Sequence, residues 1–147
     1  PEGIYVPPAE VPQVGNVRVL LGSYGGATNP IPAPSPMVYL DVALAAGESW
    51  TFTPPAGQTV AWMMVYEGRA QVAGEAVADE LVILNASDEA FTVLASVASR
   101  VLVGCAQRHE HALVLGSHSV HTNPESLRQG VANIRAIGAR LRSEGRM

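Results

Sequence analysis

The chain has 147 residues, 48% hydrophobic and 15% charged, with a formal net charge of −4, which is the size and composition of one folded domain with a sparsely charged surface. The 11 acids against 4 arginines over residues 1–122 exclude the broad basic field that nucleic acid or an anionic membrane requires. With Cys105 the only cysteine there is no internal disulfide framework, which points to a reducing, cytoplasmic setting, and no apolar run approaches the roughly 20 residues that cross a bilayer.

Ten of the eleven prolines precede residue 56, and their fixed φ and missing N–H exclude helices there. Residues 1–16 read as an extended arm with apolar pegs Ile4, Tyr5, Val6 and Val11, the kind of segment that lies over a surface or links two domains. Residues 17–122 then break into short β-like runs: Val17 to Leu21, Val38 to Leu44, Ser49 to Thr53, Val60 to Tyr66, Arg69 to Val72, Glu80 to Leu84, Phe91 to Ala95, Arg100 to Cys105 and Ala112 to Leu115. Glycine and Asn/Asp turn chemistry separates them, the pattern of a sandwich or barrel. Gly22 to Gly26 lacks the Lys-Ser/Thr of a phosphate loop and runs into prolines, so it reads as a turn.

Two of the runs carry facing information. Val38, Leu40, Val42 and Leu44 alternate with Tyr39, Asp41 and Ala43, the pattern of a half-buried strand. Val60 to Tyr66 is apolar on both faces and calls for cover on both sides.

After Val120 the period changes. Asn123 suits an N-cap, Pro124 the first helical position and Glu125 the positive end of the dipole. A helix is predicted over residues 123–143, with Leu127, Val131, Ile134, Ile137 and Leu141 forming an apolar stripe that requires a docking partner. Five arginines against two acids in residues 123–147 make this tail basic.

The ordered set Val17-Arg18-Val19-Leu20-Leu21-Gly22-Ser23-Tyr24-Gly25-Gly26, Tyr39-Leu40-Asp41-Val42, Ala46-Gly47-Glu48, Pro55-Ala56-Gly57, Glu67-Gly68, Gly116, Thr122-Asn123-Pro124-Glu125 and Gln129 resembles the C-terminal half of the pirin family over most of the chain. The resemblance implies an all-β cupin fold, a jelly-roll barrel carrying one C-terminal α-helix, as a single domain over residues 1–147. It also implies a missing companion: pirins join two barrels and hold an iron-type metal with three His and one Glu in the first barrel only. Quercetin-oxidising activity and regulatory binding, the family's known roles, belong largely to that metal-bearing half. Two departures stand out. Gln58 replaces the His that many relatives carry after Pro-Ala-Gly, and Gly116-Ser117-His118 replaces a Gly-Pro-Phe-like segment.

The general cupin ligand positions are vacant. No His or carboxylate lies from Thr51 to Tyr66, ahead of the Val65-Tyr66-Glu67-Gly68 turn, and no His lies in Asn85 to Glu89. A cation needs about four suitable donors, so no metal at the cupin position, no cofactor and no catalytic residue are expected. His109, His111, His118 and His121 lie within a short segment, where H-x-H on an extended chain puts two rings on one face; they are the alternative metal candidates, against a polar-loop reading. Cys105 near His109 lacks the third group and oxyanion hole of a nucleophile and reads as a buried thiol.

Tyr39, Asp41, Gln58, Trp62 and Tyr66 are candidates for a ligand pocket inside the barrel, set against ordinary barrel filling. The functional expectation is a non-catalytic pirin-like cupin domain with a structural or protein-interaction role, pairing as a homodimer or with a metal-bearing N-terminal barrel. The alternatives are the second half of a quercetinase-type dioxygenase and a small-ligand or metal-binding cupin.

Overall fold

The computed structural model describes residues 3–146; Pro1 and Glu2 of the predicted arm, and Met147, lie outside the described residues. The chain forms two compact units that divide between Arg108 and His109. The first contains a six-stranded and a four-stranded antiparallel sheet.

In chain order its strands are β1 (Gln13–Val14), β2 (Val17–Leu21), β3 (Ser23–Tyr24), β4 (Ala27–Thr28), β5 (Met37–Leu44) and β6 (Ser49–Phe52). They continue as β7 (Val60–Glu67), β8 (Ala70–Val72), β9 (Glu75–Val77), β10 (Leu81–Ile83), β11 (Phe91–Ala95) and β12 (Ser99–Ala106). The larger sheet runs β1-β2-β5-β12-β7-β10 and the smaller β6-β11-β8-β9.

Alternation produces the core. Val38, Leu40, Val42 and Leu44 of β5 are buried, as are Ala61, Met63 and Val65 of β7 and Val101, Val103 and Cys105 of β12. They belong to the same apolar cluster as Trp50, Phe52, Val72, Val77, Val93 and Ala95 of the smaller sheet. Trp50 and Phe52 stack at 5.5 Å between centroids, and the Trp50 indole N–H donates to the Tyr24 hydroxyl at 3.1 Å. The indole therefore buries its ring without losing its polar partner.

Four strands of this unit, β1, β3, β4 and β9, escaped the sequence pattern, and Pro8–Glu10 form a short 3-10 turn in a stretch where the prolines predict no helix. β8 and β9 pair across Ala73-Gly74, which have φ of 50° and 84°. Two successive positive φ values make a hairpin turn of the type that Asn-Gly normally announces. Ala at the first position hides it.

The second unit holds a hairpin of β13 (Val114–Leu115) and β14 (Val120–His121), then α1 (Pro124–Ser143). Asn123 is extended at φ −159° and its Oδ1 accepts from the Ser126 N–H at 2.8 Å, the N-cap bond that the sequence pattern calls for. Arg140 and Arg142 occupy the last turn, where cations complement the dipole. Leu127 meets Gly116 of the hairpin, and the His121 ring lies against Gly130, so the first turns of the helix pack on its own hairpin through Leu127 and Gly130.

Met63, fully buried at the centre of the first unit's core, gives a direct test. Met63→Ala is expected to lower unfolding free energy by about 2–5 kcal/mol through lost burial and a residual cavity, read as a lower denaturant midpoint at unchanged slope.

Candidate functional site

The register of the six-stranded sheet decides which side chains face away from the core. Tyr39 pairs with Gly104, which pairs with Trp62; Asp41 pairs with Leu102, which pairs with Met64. These residues alternate with the buried ones and so occupy the outer face. Tyr39, Asp41, Trp62 and Tyr66 therefore line no barrel interior: the even positions of β7 and the odd positions of β5 point outward, while valine, leucine and methionine fill the inside.

Asp41 is the polar centre of that face, with its side chain 6% exposed. Its Oδ2 receives Arg100 Nη2, and Arg18 Nη1 at 3.5 Å; its Oδ1 accepts from the Tyr66 hydroxyl at 2.8 Å. Arg100 Nε donates to the Tyr66 oxygen at 2.7 Å, closing the ring of contacts. Burial, followed by the contact with Asp41, raises the Tyr66 hydroxyl above its ordinary range; hydrogen bonding to Asp41 raises Arg100. Backbone geometry makes this possible: Arg100 pairs with Glu67 and Val101 with Val65, so Tyr66 is the extra residue of a β-bulge. Bulges re-aim side chains in this way. Arg18 Nη2 also donates to the Pro8 carbonyl at 3.3 Å, tying the arm to the sheet.

Arg18 and Arg100 were not singled out from the sequence. The available signal was Asp41 itself, an acid in an otherwise apolar strand that requires a counter-charge on a neighbouring outward position.

Beside this cluster Tyr39 and Trp62 approach at 5.3 Å between centroids and wall a cleft of about 260 Å³ with Leu21, Met37 and Val60. Gly104 is its floor. A Cβ there would fall 2.4 Å from Trp62 Cε2, so the indole lies across the strand only because that side chain is missing.

Gln58 stands apart from the other four. It follows a turn in which its N–H donates to the Pro55 carbonyl at 2.9 Å, with Gly57 at φ 80°, a type II arrangement that favours glycine at that position. Its Oε1 accepts from the Cys105 thiol at 3.2 Å. Burial pushes that thiol up to about 11, so at neutral pH Cys105 is a protonated donor and a poor nucleophile.

The four histidines do not converge. His109 and His111 face each other at 5.1 Å between ring centroids, and His109 Nδ1 receives the His111 N–H at 3.3 Å. His121 instead meets the Ser119 hydroxyl at 2.9 Å. Among the described residues no three His, Cys, Asp or Glu side chains form a ligand set. The apolar residues filling the barrel offer no donors that fit the metal of a cupin. Along α1, Leu127 and Leu141 are half-buried, while Val131, Ile134 and Ile137 are exposed. Among the described residues no helix is long and apolar enough to cross a membrane.

No family model and no curated protein matches the chain. Solved structures do. Quercetin 2,3-dioxygenase from Acinetobacter baumannii superposes with a TM-score of 0.74 at 20% identity, over 82% of this chain and 42% of that one. A nickel(II) complex of the bacterial pirin YhhW from Escherichia coli gives 0.53 at 17% identity, over 66% and 42%. The fold is a pirin-like cupin barrel. The chain spans about two fifths of the length of these relatives. Identity this low carries the architecture and nothing of their chemistry.

Two predictions attach to the site. Because Asp41 is nearly enclosed and Arg100 about one third exposed, Arg100→Ala is expected to cost about 1–2 kcal/mol, less than a fully buried pair, and a double-mutant cycle with Tyr66→Phe should show non-additivity. The Cys105 thiol is raised from 9.0 to about 11, so its contribution to stability is full below pH 9.0 and is lost as pH rises through about 11. The melting temperature of wild type should therefore fall more steeply across that window than that of Cys105→Val.

Proposed function

We propose that this chain is a non-catalytic pirin-like cupin module whose role is to pair with another folded domain, in the first instance a second copy of itself. The observation that carries this reading is the outer face of the six-stranded sheet, where Leu81 and Ile83 of the edge strand are 59% and 67% exposed beside half-buried Trp62 and Met64. A contiguous apolar sheet surface of this kind marks an interaction site, and β10 is an open edge among the described residues. The apolar side chains that fill the barrel support reading the chain as a pairing module.

A second reading has its own support. The matched region covers only 42% of a quercetin 2,3-dioxygenase, so the natural partner in that reading is a metal-bearing barrel and the assembly is the enzyme.

Sedimentation over a concentration series separates the possibilities. Wild type is expected to self-associate and Ile83→Glu to sediment as a monomer. A monomeric wild type at high concentration overturns self-pairing. The second reading then requires co-elution with a separately supplied pirin-type N-terminal barrel, and fails without it.

A further inference from the structure

We infer that the Gln58 amide is the polar anchor of a small-molecule cleft that takes a neutral ligand presenting a carbonyl-type acceptor oxygen on an apolar body. This is independent of how the chain pairs.

The Cys105 thiol donates to Gln58 Oε1 at 3.2 Å, which turns the NH₂ away from Cys105. Gln58 is 7% exposed. Nε2 has no hydrogen-bond partner among the described residues, whereas every fully buried side-chain nitrogen or oxygen there does have one. Nε2 therefore lies on the small accessible part of the residue. Gln58 lines an open cleft of about 630 Å³, within the roughly 300–1,000 Å³ typical of ligand sites.

The lining explains the ligand class. Pro34, Pro36 and Pro55 present ring carbons and no N–H, and Met37 and Val38 add further apolar surface. The Ser23 hydroxyl is engaged with Thr28 at 2.8 Å. No charged side chain lines the cleft, so an ionic ligand would lose its hydration without a counter-charge, whereas a ketone, amide or ether oxygen would satisfy the free donor. The loop holding Gln58 is braced on both sides, with the Gly57 N–H donating to Asp88 Oδ2 and the Ser87 N–H to the Thr59 carbonyl, each at 3.0 Å. The amide is thus presented by a positioned turn, which limits the ordering cost of binding.

The test uses the ¹⁵N-labelled chain titrated with acetophenone, and with ethylbenzene as the same body lacking the oxygen. Acetophenone is expected to move the Gln58 side-chain NH₂ signals saturably and to bind about fivefold more tightly than ethylbenzene, the worth of one net hydrogen bond. Gln58→Leu should lose that preference. Cys105→Val, which frees the amide to turn over, should weaken acetophenone by about two- to threefold. No saturable movement of the Gln58 NH₂, or equal binding of the two probes, overturns the assignment. The wild-type comparison decides it without reliance on either variant folding.

Discussion

The structure of the first unit depends on one ladder. β12 pairs along its whole length with β5 on one side and along most of it with β7 on the other. A strand paired on both sides has no freedom of facing, because a slip of one residue would send Val101, Val103 and Cys105 outward and bring Arg100 and Leu102 into the core. The two neighbours inherit that constraint. Val42, Leu40 and Val38 of β5, and Val65, Met63 and Ala61 of β7, face inward because they stand opposite those positions of β12.

From this follows the separation of chemistry from core. Cupin metal chemistry would need polar donors directed into the barrel, and here the barrel is occupied by close-packed aliphatic and aromatic groups. Among the described residues these side chains gather no set of three His, Cys, Asp or Glu donors. The polar and aromatic groups that survive on these strands lie on the opposite face, where Asp41 gathers Arg18, Arg100 and Tyr66, and where Trp62 lies across Gly104. One sheet thus has a structural face and a face available for recognition.

The two features proposed for recognition differ in kind. The Leu81 and Ile83 edge is extended and apolar, suited to a folded surface. The Gln58 cleft is concave and carries one oriented donor, suited to a small molecule. Neither needs a metal. The Cys105 thiol, which lies on the inner face of β12 yet reaches Gln58, connects the core to the cleft by orienting its amide.

Much of the architecture was legible from residue order. Short β-like runs between turn residues located β5, β7, β11 and β12 to within a residue or two, and Asn123-Pro124-Glu125 marked the start of α1, because these signals are local; the cover expected on both faces of β7 is found on one, with Val60 and Tyr66 exposed on the other. Tertiary structure alone decided what lies opposite what. The β8–β9 hairpin hid behind Ala73, the bulge that turns Tyr66 toward Asp41 depends on the register with β12, and the outward facing of Tyr39, Asp41 and Trp62 depends on which side of the sheet the core occupies. Alternation defines two faces without saying which one is buried, and only the packing of the second sheet against the first breaks that symmetry.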